Sequence, residues 1–405
     1  MKILVLTPFP AAPGTSGGAT AVFSLIRTLA SRHEVVCLTY VRPGQEAELA
    51  ALEAYCSDVV AVPFPGSSAS AAAGRYLLRR VMDNIRSLLT LTPALAWKHR
   101  SAAMGRAIRE ALERHRPDVV HICFAPMAQW VAACGDVPAV MDTQDVAVVS
   151  GYRRAAASAT PWGKAYHFLQ WLFWLRYETH WYPRYAKVLT LTPQDGAALK
   201  RYRPDLDIYA SAIGIDAAAE PPEQPPTARV GFLGSFAHQP NADAVTWLVE
   251  TIVPRVQARC RNVEFVIAGK NPPACAVDGV TAIGFVDDVS AFYRSVDVVV
   301  APLRHGGGIK IKVLEAMAHG KAVVTTSIGA EGIAEPGEGA FLVADEPAAF
   351  AEAVVALLSD GERRTSLGKR ARRIIEERFS WQRVCDDLDD IYRTITARRH
   401  GEPQR

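Results

Sequence analysis

At 405 residues the chain is longer than one ordinary hydrophobic core organises, so two domains are expected. An apolar share of 49% with 21% charged residues describes a soluble globular protein, and no run approaches the ~20 apolar residues of a membrane span. Seven cysteines without a C-x-x-C pair leave no spacing for a disulfide frame or a zinc module, and read as reduced core thiols of a cytoplasmic protein. The net charge of +3 is uneven. Residues 1–215 carry 23 Lys and Arg against 16 Asp and Glu, and the remainder carries 22 against 26. Residues 75–116 alone hold ten basic and three acidic side chains among Leu, Ile and Ala. That mixture is either a solvated helix pair or a surface for an anionic membrane. Nucleic acid is not expected, because no recognition motif accompanies the charge.

Along the chain, short apolar runs alternate with helical spacing. The opening MKILVLTPFP is too short for a signal peptide and reads as a buried first strand, Ile3–Leu6. Further strands are expected at Glu34–Thr39, Val59–Val62, Val119–Ile122, Ala139–Met141 and Val188–Leu191, with helices such as Thr20–Ser31 and Ser101–His115 between them. The segment 162–185 is unusually aromatic, with Trp171, Trp174 and Trp181 at helical spacing. It reads as a core or interdomain helix, with a membrane-interface belt as the alternative. Residues 217–227, AAAEPPEQPPT, read as a linker. Alternation then restarts at Arg229–Leu233, Val263–Ala268, Val280–Ile283, Val296–Ala301, Ala322–Thr325 and Phe341–Val343. The expected fold class is α/β, with two doubly wound, Rossmann-like domains and ligands beyond the strands' carboxyl ends. The expected bounds are 1–215, a linker at 216–228, 229–378, and a C-terminal helical segment 379–405.

The most informative stretch is 300–329, VAPLRHGGGIKIKVLEAMAHGKAVVTTSIG. A strand ends at Ala301-Pro302, a loop carries Arg304 and Gly306–Gly308, and a helix opens around Lys310, Lys312 and Glu315. Free backbone N–H groups at such a helix start suit an anion. Cations there oppose the helix dipole unless an anion lies between, so Arg304, Lys310 and Lys312 read as partners of a phosphate or diphosphate. Glu315 follows Lys312 by three residues on the same helix face, and an internal ion pair is the plain alternative. Gly17 and Gly18 before the first helix either make a tight turn or bring backbone close to a ligand. His121 ends a strand, and Asp142 and Asp145 follow another. His121 reads as a hydrogen-bond partner of the sugar or acceptor or as a satisfied core histidine, and Asp142 and Asp145 as acceptor contacts or a base, with a helix cap as the alternative for Asp145.

The segment PLRHGGGIKIKVLEAMAHGKAVVTTSIGAEGI resembles the signature of the family 4 (group 1) glycosyltransferases, which have the GT-B fold. Supporting pieces are Pro8…Gly17-Gly18, RPDVVHICFAP at 116–126, VLTLTPQDGAALK at 188–200, GFLGSFAHQPNADAVTWL at 231–248 and FSWQRVCDDLDDIY at 379–392. The last resembles the segment that returns to the first domain. The GS…PNADA pattern is similar to sugar transferases of bacterial exopolysaccharide and cell-surface clusters. The resemblance implies a retaining, metal-independent transfer of a sugar from a nucleoside-diphosphate sugar, UDP- or GDP-linked, to a hydroxyl of a sugar, lipid-linked sugar or small molecule. No other cofactor and no D-x-D or His/Cys metal cluster is expected. The residues implied at the donor are Gly17, Gly18, Gly234, Ser235, Phe285, Val286, Arg304, Gly307, Gly308, Ile309, Lys310, Lys312 and Glu315, with Glu315 on the ribose. His121, Asp142, Lys312 and Glu315 are the catalytic candidates.

Three departures from the family pattern stand out. Glu315 matches the second of two glutamates spaced eight apart, but Gly307 holds the first position. No arginine follows the strand at 229–233, and Cys123 replaces the second of two histidines. A peripheral, membrane-associated protein fits the basic first half. A non-hydrolysing nucleotide-sugar epimerase, or a catalytically weak partner subunit of another transferase, are the rival functions. An α/β-hydrolase is disfavoured, because its HGGG element would follow rather than precede the serine loop at Gly14–Gly18.

Overall fold

The computed structural model describes residues 1–13, 17–66, 73–158, 160–211, 213–216, 228–273, 277–334 and 337–400. The linker prolines and Cys275 lie outside the described residues, as do Gly14–Ser16 of the serine loop. The chain divides into two compact units. One comprises Met1–Gly214 and Trp381–Arg405, the other Ile215–Ser380.

The first unit holds strands β1 (Lys2–Thr7), β2 (Glu34–Val41), β3 (Asp58–Pro63), β4 (Val119–Cys123), β5 (Ala139–Asp142), β6 (Lys187–Thr190) and β7 (Ile208–Ala210). They form one parallel sheet in the order β3-β2-β1-β4-β5-β6-β7. The second unit holds β8 (Arg229–Leu233), β9 (Glu264–Ala268), β10 (Val280–Gly284), β11 (Val298–Ala301), β12 (Ala322–Thr325) and β13 (Leu342–Val343), in the order β10-β9-β8-β11-β12-β13. The order reverses between β1 and β4 in one sheet and between β8 and β11 in the other. Such switch points open crevices at the strands' carboxyl ends. Helices that bear on function are α1 (Gly17–Ala30), α2 (Ala73–Thr90), α3 (Ala147–Ala157), α4 (Pro161–Trp181), α5 (Gln239–Trp247), α6 (Ile311–Ala318) and α7 (Trp381–His400).

The central strands are continuous apolar runs because helices cover both faces, as parallel sheets require. Ile3, Leu4, Val5 and Leu6 of β1 are all fully buried. Each such side chain contributes roughly 1.5–3 kcal/mol of transfer free energy. Twelve strands fall where the apolar runs place them. The exception is β7, a partly exposed edge strand that follows Asp207 and, at three residues, is too short a run to stand out. Trp381, Cys385, Leu388, Tyr392 and Ile395 of α7 pack in the first unit's core with Ile3, Val5, Val22 and Ile26. A Cβ on Gly214 would stand 2.2 Å from the Trp381 ring, so only glycine lets the chain pass that indole.

The aromatic segment behaves differently at its two ends. Phe173, Tyr177, Tyr182 and Tyr185 are buried, whereas Trp162, Tyr166, Phe168 and Leu169 are exposed. The buried half carries Glu178. Its carboxylate accepts from the backbone N–H of Ala147 (2.9 Å) and Val148 (3.0 Å) and from the Tyr182 hydroxyl (2.9 Å). A distant glutamate thus serves the orphan N–H groups of α3. Capping, the plain alternative for Asp145, falls away, since the N-cap residue is Val146.

Burial drives the Glu178 carboxyl up from 4.5 to about 8, against the hydrogen bonds that favour its charged form. A carboxyl raised in the folded state favours folding below its unfolded value. That contribution is lost as pH rises from about 4.5 through about 8. Glu178→Gln should therefore lower the melting temperature at pH 5 but flatten its decline towards pH 8. Thermal denaturation across that range checks this, and an unchanged slope would be the contrary result.

Candidate functional site

The second unit's crevice is built around Lys312. α6 starts at Ile311, with Lys310 as its N-cap residue, so Lys312 stands in the first turn. The Lys312 ammonium donates to Asn241 Oδ1 (2.5 Å) and lies 4.3 Å from the centre of the Phe232 ring. Asn241 Nδ2 in turn donates to the Ser235 carbonyl (2.8 Å). Gly234, just past β8, closes the group: a Cβ there would sit 2.6 Å from Lys312 Nζ and 2.9 Å from Asn241 Nδ2. Gly269 makes this approach available. Its φ is +139°, and a Cβ there would fall 1.8 Å from the Gly234 carbonyl oxygen.

Glu315 is partly buried one turn on. Burial pushes its carboxyl up to about 7 despite nearby Lys312, and pushes the Lys312 ammonium down to about 7 despite Glu315. Desolvation outweighs the mutual attraction for both groups. The buried Tyr293 hydroxyl donates to the Lys312 carbonyl (3.3 Å).

The other donor-site candidates lie nearby in sequence but are engaged with protein. Arg304 makes a two-pronged contact with Asp243, at 3.0 Å and 2.5 Å, and His305 reaches Gln239 at 2.5 Å. The Lys310 ammonium donates to the carbonyls of Gly307 and Gly308 and so closes the glycine loop on itself. Gly306 and Gly308 hold positive φ, 135° and 63°. Ile309 is buried and Ser235 exposed. At the end of β10, Gly284 has φ +77° and its carbonyl accepts from Gly269 N (2.7 Å); beyond it Phe285 is exposed and Val286 is half-buried. Sequence reasoning assigned no role to Asn241 or Asp243. The signal was present in the string Pro240-Asn241-Ala242-Asp243, where two polar side chains open α5.

His121 and Asp142 belong to the first unit. His121 is fully buried, with Nδ1 2.7 Å from the Tyr392 hydroxyl and Nε2 3.5 Å from Asp142 Oδ2. Gln144, at φ +55°, donates its side-chain amide to Asp142 Oδ2 (2.7 Å). The neighbouring cavity measures about 20 Å³, too small for a sugar ring. The sequence carries no His/Cys cluster, but folding brings metal-ligating atoms of His121, Cys123 and Asp142 within 4.8 Å of one another. The reason is register: β4 pairs with β5 so that Cys123 faces Asp142, and His121 precedes Cys123 by two on the same face. Burial, and next Asp142, push the Cys123 thiol well up, away from the thiolate a metal needs. Gly17 and Gly18 open α1, and a Cβ on Gly18 would meet the Phe124 ring at 3.2 Å.

Residues 227–360 match the family model described as Glycosyl transferases group 1. The matched span lies within the second unit. Relatives align over parts of their length. The chain is 35% identical over 120 residues to spore coat protein SA of Bacillus subtilis, covering 28% of this chain and 32% of that one. It is 30% identical over 211 residues to the phosphatidyl-myo-inositol mannosyltransferase of Mycobacterium tuberculosis, covering 48% and 53%. The chain thus spans about a third to about half the length of these curated relatives. Solved structures match nearly end to end. A sucrose-phosphate synthase from Thermosynechococcus elongatus has a TM-score of 0.70 at 15% identity, covering 98% of this chain and 99% of that one. HepE of Anabaena, solved with UDP and glucose, has a TM-score of 0.61 at 15% identity, covering 97% and 100%. The fold class is therefore GT-B, with two parallel-sheet Rossmann-like domains.

In the second unit the lysine and glutamate should titrate as a pair. Glu315→Gln removes the attraction that holds the Lys312 proton, so the Lys312 pKa should fall below 7. Carbon-13 NMR of labelled lysine side chains reads this directly, and a rise in the variant would contradict the assigned attraction.

Proposed function

We propose that the protein is a retaining, metal-independent glycosyltransferase that moves a sugar from a nucleoside-diphosphate sugar to a hydroxyl acceptor in surface polysaccharide or glycoconjugate synthesis. The observation that carries this reading is the partly desolvated ammonium of Lys312, lodged against Gly234 at the β8–β11 switch point. A departing diphosphate gains negative charge as the glycosidic bond breaks. A fixed cation in a water-poor crevice stabilises that charge far better than water does. The group 1 family model over the same residues, and a structural neighbour solved with UDP, support a nucleotide donor. Glu315 reads as an acceptor for ribose hydroxyls rather than a proton carrier. Gly234, Ser235, Gly308 and Ile309 read as backbone contacts, and Phe285 and Val286 as neighbours of the base. Arg304 and Lys310 join the diphosphate only by leaving Asp243 and the glycine loop. His121 and Asp142, beside a cavity of only about 20 Å³, read as supports of the β4–β5 strand ends rather than as reacting groups.

One observation favours a second reading, a weakly active partner subunit. Gly307 stands where the family's first glutamate meets the sugar, and its carbonyl is taken by Lys310. Slow hydrolysis of UDP-glucose or GDP-mannose without acceptor would argue against that reading. Retention is tested by proton NMR of the product's anomeric signal, and metal independence by activity in chelator.

UDP or GDP should raise the melting temperature, and Lys312→Ala should weaken nucleotide binding on the order of ten- to a hundredfold, the range for a charged hydrogen bond. An unchanged thermal shift in the variant would remove Lys312 from the phosphate site.

Membrane contact belongs to the same proposal. Val81, Met82, Ile85, Leu88 and Leu89 form one exposed apolar face of α2, and Trp162, Tyr166 and Leu169 one of α4. Tyr166 donates to Asn84 (3.1 Å), which places the two helices side by side, with Arg86, Arg100 and Lys164 exposed around them. Among the described residues no helix is long and apolar enough to cross a membrane. A cytoplasmic protein resting on an anionic leaflet fits these surfaces. Flotation with phosphatidylserine vesicles should recover the protein, and Leu88→Glu with Leu89→Glu should abolish recovery. Equal recovery of the double variant would contradict the contact.

A further inference from the structure

A cavity of about 380 Å³ opens in the first unit beyond the carboxyl ends of β1 to β5, at the switch between β1 and β4. That volume suits a small organic ligand. Its walls are mainly apolar, with Phe9, Phe64, Phe124 and Trp174 among them. Most of its polar groups are already occupied by protein. Tyr40 donates to the His99 carbonyl (2.6 Å), and Thr143 donates to the Leu189 carbonyl (2.9 Å). Gln45 accepts from Arg42 N (3.0 Å), and Gln170 accepts from Ala94 N (3.0 Å). A bare sugar, with a hydroxyl on nearly every carbon, would leave many of those hydroxyls desolvated and unpaired here.

His99 is different. It is 7% exposed and lines the cavity. Its Nδ1 lies 2.8 Å from the Leu95 carbonyl, an oxygen that can only accept. The proton is therefore on Nδ1, and Nε2 presents a lone pair, with no hydrogen-bond partner among the described residues. Burial lowers the ring's pKa to about 4, which keeps it neutral in the physiological range. At the rim stand two exposed arginines, Arg42, with its guanidinium 4.4 Å over the Phe64 ring, and Arg154. One carboxylate, Asp145, stands with them.

We propose that this cavity is the acceptor site and that it takes an apolar-bodied anion. The ligand has an aromatic or branched hydrocarbon body, a hydroxyl that donates to His99 Nε2, and an acidic group held by Arg42 and Arg154. This rests on the transferase reading, but its residues are distinct from those assigned to the nucleotide.

The test is isothermal titration calorimetry of the full chain with 6-hydroxy-2-naphthoate, 2-naphthoate, 2-naphthol and maltose, with UDP titrated into the same preparation. 6-Hydroxy-2-naphthoate should bind best. Loss of its hydroxyl should weaken binding about fivefold, and loss of its carboxylate about tenfold or more, as a neutral and a charged hydrogen bond imply. His99→Phe should erase the preference for the hydroxyl while leaving 2-naphthoate binding in place. Arg42→Ala with Arg154→Ala should erase the preference for the carboxylate. If the His99 variant does not fold, the ligand series on the wild type still decides. Tighter binding of maltose than of the naphthalenes, or no naphthalene binding at millimolar concentration while UDP still binds, overturns the pocket assignment alone. Naphthalene binding without any nucleotide binding would instead overturn the transferase reading on which the acceptor role rests.

Discussion

A half-neutralised ammonium beneath a glycine is the constraint on which the second unit turns. Lys312 is drawn out of water by Phe232, Gly234 and the first turn of its own helix, with one neutral oxygen, from Asn241, as its direct partner. Glu315 offsets only part of the loss, because it too is desolvated. Such a group is costly to bury unless something anionic completes its surroundings. Two glycines are required for it to exist. Gly234 leaves room for the ammonium, and Gly269 leaves room for Gly234. A side chain at either would push the cation from the crevice before it touched any ligand.

The two sheets apply one topological rule to different chemistry. Each reverses strand order once, and each has side chains gathered at that reversal. In the second unit these are a lysine, a glutamate and glycine backbone, suited to phosphate and ribose. In the first they are aromatic rings, a neutral histidine and rim arginines, suited to an apolar body with an acidic end. The buried Glu178 belongs to the second of these arrangements. By holding the start of α3 it fixes the helix that brings Ser150, Gly151 and Arg154 to the cavity.

Most of the fold was legible because parallel strands buried on both faces are dominated by apolar runs, as Ile3–Leu6 in β1 and Val298–Ala301 in β11 are. The short edge strand β7 has only three residues, too few for its apolar run to stand out. The phosphate-site motif was legible as a local pattern of strand, glycines and helix start. The partners that decide which cation is available were not. Asp243 takes Arg304, and Asn241 takes Lys312, across more than sixty residues of sequence. The His121–Cys123–Asp142 cluster likewise arises only from strand register. Long-range pairing of polar groups has no periodicity to betray it, whereas apolar burial does.

The central claim is that Lys312 waits near neutrality for a diphosphate. Its most direct test is the number of protons taken up when UDP binds, measured by calorimetry at pH 8 in buffers of different ionisation enthalpy. A lysine lowered to about 7 in the free protein is mostly uncharged at that pH, and a bound diphosphate restores its proton. The account predicts uptake approaching one proton in the native protein and none in Lys312→Met. Nucleotide binding with no proton uptake by the native protein, or with the same uptake in the variant, would contradict it.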